Sequence, residues 1–124
     1  MPSSADAGEL FRQEYERINR TAYSGILPPF PGVELVERTD IFAMTRARGD
    51  GPWRHLRPFL LSTHVTGKLL IESIRHEIAH AAAILLDDDQ GHGPAWERHA
   101  RLAGASSLAT LDPGHPLRAD WPAP

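Results

Sequence analysis

Cysteine is absent from this chain of 124 residues. That removes disulfide scaffolds, thiolate zinc sites, iron–sulfur clusters and cysteine nucleophiles together. Lysine is nearly absent too: of thirteen basic residues only Lys68 is not arginine. Long apolar runs are also missing. The longest, Ala81 to Leu86, falls far short of the roughly 20 residues a membrane span needs. Met1 to Leu10 is small and polar, without the basic and apolar segments of a leader peptide. The expectation is a cytoplasmic protein with no membrane partner. Nor is there an excess of positive charge, since the formal net charge is −3, which argues against coating nucleic acid by charge alone. What is present supports one packed domain: 41% of the residues are hydrophobic and 23% are charged. Seven histidines leave imidazole and carboxylate as the ligands available to a transition metal.

Asp6 and Glu9 have the form of a capping box, which predicts a helix starting near Ala7. Phe11, Tyr15, Ile18 and Ala22 continue it as one apolar stripe to about Tyr23. Ser24-Gly25 ends it, and Pro28 to Gly32 reads as a stiff turn. Three strand-like segments follow: Val33 to Arg38, Ile41 to Arg48 and His55 to Ser62. Thr39-Asp40 suits a tight turn joining the first two, while Pro58 restricts its position to an edge, a strand start or a bulge. A long helix is expected from about Thr66 to Leu86, stopped at Asp87-Asp88-Asp89, whose charges oppose the helix dipole. Gly93-Pro94 opens a second, short helix that Gly104 ends. The sum is an α+β domain with a small three-stranded sheet over residues 1–104, then an irregular Pro/Gly-rich tail over 105–124.

The chemistry concentrates in His76-Glu77-Ile78-Ala79-His80, in the middle of the long helix. Residues four apart on a helix are rotated by about 40° and displaced by about 6 Å, so both imidazoles leave one face and can grip one ion. Glu77 is turned about 100° from His76, too far to ligate beside it but near enough to take a proton from a metal-activated water. His92 follows in Gly91-His92-Gly93-Pro94-Ala95-Trp96, after enough chain to turn back. It can close a three-histidine site with a fourth position open, the arrangement a catalytic zinc requires.

These motifs, in this order, resemble the SprT-like zinc metallopeptidases: an HExxH helix, then a glycine-flanked histidine and an aromatic residue. Asn19, Tyr23 and Gly25-Ile26-Leu27-Pro28 resemble the end of that family's first helix, and Phe59 to Ser62 the strand before its active-site helix. The resemblance runs from about Glu9 to Ala103 and implies a minimal zincin-like fold. It further implies that His76, His80 and His92 are ligands of Zn2+ and that Glu77 is the general base in peptide-bond hydrolysis. An oxyanion stabiliser is also required, with Tyr23, His99 and Arg101 as candidates. Glu97 stands as an alternative third ligand, as in gluzincins. A metzincin pattern does not fit: Ala83 and Leu86 occupy the places of its glycine and histidine, and the only methionines are Met1 and Met44.

A protein or peptide is the expected substrate. Two rivals stand beside that reading: a zinc hydrolase acting on a non-protein amide, and an inactive metal-stabilised module that binds protein or DNA. Arg46, Arg48, Arg54 and Arg57 around Trp53 can contact nucleic acid or an acidic substrate, but a solvated hairpin loop with one packed tryptophan is the preferred reading. The absence of cysteine excludes a zinc ribbon, so a compact stand-alone peptidase is the better-supported form. Asp87 to Asp89 reads as a solvated loop, and His115 as part of a free tail.

Overall fold

The structure, a computed structural model, describes residues 4–106. Among the described residues three α-helices, one short 3-10 turn and two small sheets follow one another as α1 (Ser4–Tyr23), β1 (Val33–Val36), β2 (Ala43–Met44), β3 (Ala47–Arg48), the 3-10 turn (Gly51–Trp53), β4 (His55–Leu56), β5 (Phe59–Ser62), α2 (Gly67–Asp87) and α3 (Pro94–Ala103). The chain is therefore α+β, as the patterning predicts, with one sheet of three strands and another of two.

Helix α1 forms because its apolar stripe has somewhere to go. Phe11, Tyr15 and Ile18 are fully buried, and Phe11 stacks on Phe59 of β5 with ring centroids 4.5 Å apart. Its start differs from the capping-box expectation. The helix already includes Ser4, so Asp6 lies within it and not at its cap, and the Glu9 carboxylate pairs with Arg12. At the other end, Asn19 clamps the following turn from both sides: Nδ2 donates to Leu27 O at 3.1 Å, and Oδ1 accepts from Leu27 N–H at 2.9 Å. Tyr15 OH donates to Pro28 O at 2.6 Å. Polar side chains of α1 thus fix the direction in which the chain enters β1.

The strand order corrects the sequence expectation. Val33 to Arg38 and Ile41 to Arg48 do not pair as a hairpin; β5 lies between β1 and β2, parallel to the first and antiparallel to the second. The physical reason is burial. All four residues of β5 are buried, so both its faces must be covered and it takes the centre, whereas β1 and β2 are partly exposed. Thr39-Asp40 consequently makes no hairpin turn; Arg38 pairs with Asp40 at 2.9 Å instead. The 41–48 segment is also divided, since its end leaves β5 and pairs with β4 as a separate ribbon. Pro58 falls immediately before β5, a strand start where its missing N–H costs no ladder bond.

Helices α2 and α3 match their sequence signals closely. Asp88 ends α2 in the left-handed region at φ 52°, with its N–H returning to Ala83 O. Pro94 opens α3 and Gly104 closes it at φ 79°. The two helices approach through small residues: Ala79 and Ala83 of α2 meet Trp96 and Ala100 of α3 in a second, smaller core.

Burial on both faces of β5 yields a test of the strand order. Leu60→Asp and Leu61→Asp should each destabilise the protein by more than about 3 kcal/mol in urea unfolding, because either places a charge in a buried layer. Glu34→Gln on β1 should change stability by less than about 0.5 kcal/mol. A hairpin of the first two strands would put β5 at an edge of the sheet, where a charged side chain reaches solvent more easily, and both leucine changes would then be milder.

Candidate metal centre

His76 and His80 stand one turn apart on α2, and His92 arrives from the loop before α3. The left-handed turn at Asp88 reverses the chain, and Asp89 Oδ1 tightens the loop by accepting from Gly91 N–H at 2.8 Å. The result is convergence. The Nε2 atoms lie 3.2 Å apart for His80 and His76, 3.0 Å for His80 and His92, and 3.2 Å for His92 and His76. One face of a tetrahedron with zinc–nitrogen bonds of 2.0–2.1 Å has edges of about 3.3 Å. Three ring nitrogens so placed cannot all satisfy one another, because each offers a single in-plane lone pair or N–H. A cation at their focus satisfies all three. Burial, with the neighbouring His92 adding to it, pushes the pKa of His80 down to about 4 and keeps that ring in the neutral form a ligand needs.

Trp96 forms the floor of the site. Its ring packs on all three imidazoles, with centroids 4.8 Å from His76, 5.5 Å from His80 and 4.8 Å from His92. Its Nε1–H donates to His76 O at 3.4 Å. Above the imidazoles lies a cleft of about 230 Å³, walled in part by Met44, Thr45, Ile84 and Gln90. His76 and His80 are only 5% and 9% exposed, while His92 is open to solvent.

Several other sequence candidates do not come to this cleft. Among the described residues only His76, His80 and His92 converge as metal-binding groups, so Glu97 does not take the third position. Tyr23, His99 and Arg101 do not line the cleft either. Tyr23 OH lies 2.6 Å from His99 Nδ1, and His99 Nε2 lies 2.6 Å from Asp87 Oδ2. With Nε2–H donating to the Asp87 carboxylate, Nδ1 accepts the Tyr23 hydroxyl proton. Burial, reinforced by the Asp87 charge, pushes the Tyr23 pKa up to about 12, so the hydroxyl stays a donor. This chain of bonds pins the ends of α1 and α2 to α3, and that occupation removes both residues as oxyanion donors. Asp87 to Asp89 are accordingly engaged: Asp87 holds His99, Asp88 pairs with Arg54, and Asp89 holds the loop.

The basic hairpin is likewise divided. Arg46 donates to Pro58 O at 2.8 Å, and Arg54 donates to Ile84 O at 3.3 Å, while Arg48 and Arg57 are exposed. Trp53 is 82% exposed and does not pack as expected. His115 and nearly all of the tail lie outside the described residues. No helix among the described residues is long and apolar enough to cross a membrane.

A family model described as the SprT-like family matches residues 11–115. The chain belongs to the SprT-like family. No curated protein and no solved structure matches it. The zincin-like features of this SprT-like domain therefore rest on its own geometry and on that family match.

Two residues of the SprT-like cleft escaped the sequence reading. Gln90 brings an amide to its wall. Thr45, between β2 and β3, brings a hydroxyl to Glu77: Oγ1 lies 2.6 Å from Glu77 Oε1 and 2.9 Å from Glu77 O. Nothing in a strand-like stretch marks one threonine for this, and its partner is 32 residues away. The other oxygen, Glu77 Oε2, stands 3.9 Å from His76 Nε2, facing the convergence point. Burial pushes the Glu77 pKa up to about 7, opposed by the hydrogen bond from Thr45.

The sign of that shift sets a stability test on the metal-stripped protein. Because the folded carboxyl keeps its proton to higher pH, its contribution is full below about 4.5 and is lost as pH rises through about 7. Glu77→Gln, which never ionises, should therefore be more stable than wild type at pH 8 by an amount on the order of 1–3 kcal/mol. The two should converge at pH 4.5 or below in parallel thermal melts. Equal stability at pH 8 would show that burying this carboxylate carries no cost.

Proposed function

We propose that this SprT-like protein is a zinc-dependent peptidase in which His76, His80 and His92 hold the metal and Glu77 is the general base. The observation that carries the reading is the pairing of two elements in one cleft. Three imidazole nitrogens are spaced like one face of a tetrahedron, and a buried carboxylate turns one oxygen toward them. Zinc, when bound, polarises the substrate carbonyl and lowers the pKa of a water molecule.

The chain supplies the rest. Glu77 Oε2 accepts the proton of the attacking water, and the same carboxyl then hands that proton to the leaving amine, so the residue ends the cycle as it began. Gln90 is a polar side chain at the cleft available to the developing oxyanion, in place of Tyr23 and His99. His92, exposed at the rim, leaves the cleft accessible from outside, as a polypeptide substrate requires.

The experiment compares wild type and Glu77→Gln, both loaded with zinc, against an unfolded protein and a peptide library. Wild type should cleave, and the variant should keep its zinc while losing about 10²–10⁴-fold in kcat. A zinc-loaded wild type that cleaves nothing in either panel would refute the peptidase reading and leave a metal-stabilised binding module in its place.

A further inference from the structure

We infer that Thr45 is a positioning residue for the proposed reaction, holding Glu77 so that only Oε2 is presented to the metal cleft. The inference rests on the hydrolase reading and adds to it a residue from outside the HExxH helix.

The geometry begins with a conflict. A glutamate has three rotatable side-chain bonds, and one at the wall of an open cleft can swing among several rotamers. Only some of these aim an oxygen at the metal face. Glu77 is held in one by a tether that starts and ends on the same residue. Thr45 Oγ1 sits 2.9 Å from the Glu77 backbone carbonyl and 2.6 Å from its Oε1, spanning main chain and carboxylate. With Oε1 engaged, Oε2 is the free oxygen, and it stands 3.9 Å from His76 Nε2.

Thr45 is itself fixed from both sides. Just before it, Met44 is in register with Leu60 of β5. Just after it, Arg46 O accepts from Arg57 N–H at 3.0 Å, and Ala47 is in register with Leu56 of β4. The residue therefore occupies the short span where the chain passes from one sheet to the other. Both sheets locate its hydroxyl over α2, and β5 is in turn anchored by the main core. This gives the splitting of the 41–48 segment a purpose: a continuous strand would carry Thr45 along the β5 register instead of across the cleft.

A hydroxyl is the right tool for this. Its single O–H is shared between the Glu77 carbonyl and Oε1, and its γ-methyl group restricts χ1, so it arrives pre-oriented. Valine keeps the shape and removes the bond; serine keeps the bond and loses only the methyl.

The test uses the zinc-loaded protein on a peptide that wild type cleaves. Thr45→Val should lower kcat by about 10–100-fold, with KM within about twofold and zinc affinity unchanged, because orientation of the base is lost while substrate and metal contacts remain. Thr45→Ser should recover most of that loss. A readout independent of activity is a double-mutant cycle on thermal unfolding of the metal-stripped protein. Thr45→Val and Glu77→Ala should be non-additive, the Tm change of the double variant differing from the sum of the two single changes by at least about 2 °C. An unchanged kcat in Thr45→Val on an active wild type, or an additive cycle, would overturn this inference alone. An inactive wild type would overturn the hydrolase reading and this inference with it, while a non-additive cycle would still record the contact.

Discussion

The whole site depends on one indole. Trp96 fills the space between the alanine face of α2 and the three imidazoles, fully buried, touching each of the rings that converge. Ala79 and Ala83 are what let it in, because larger side chains there would hold α3 away from α2. His92 precedes Trp96 by one turn of chain, so the seating of that ring brings the third nitrogen within 3.2 Å of the other two. Packing energy from a small apolar cluster is thus spent on assembling a polar one.

The other end of α3 is held by different physics. Tyr23 and His99 are buried and end on the Asp87 carboxylate at the surface, and every donor in this relay has one acceptor, so their burial costs little. Together the indole and the relay fix the rotation of α3 about α2. Arg54 adds a third tie from the β3–β4 ribbon, reaching the carbonyl of Ile84 near the end of the helix that carries His76 and His80. The cleft is therefore lined from β2, the residue after it, α2 and the loop before α3, each held by its own contacts.

Legibility from the sequence follows the range of each interaction. His76, Glu77 and His80 could be read because a helix converts a spacing of four into a shared face. His92 could be read because Gly91, Gly93 and Pro94 announce a loop and a helix start around it. The ends of α2 and α3 were legible for the same reason. The order β1-β5-β2 was not: Phe59 to Ser62 declares itself apolar, but which strands pair with its two edges is settled by tertiary packing. Thr45 had no local sign, being 32 residues from Glu77, and Tyr23 and His99, 76 residues apart, looked like free polar groups until burial paired them. Trp53 erred in the opposite direction, since an aromatic residue in a turn suggests packing and this one is left in solvent.

The central claim is that this small cysteine-free domain offers a zinc ion three imidazole nitrogens and one open position. The most direct measurement is the X-ray absorption fine structure of the zinc-loaded protein at one metal per chain. The account predicts four-coordinate zinc with three imidazole nitrogens and one further light atom at about 2.0–2.1 Å. The multiple-scattering signal should fall to two rings in His92→Ala. A spectrum of six oxygen-type ligands, or one unchanged by His92→Ala, would contradict it.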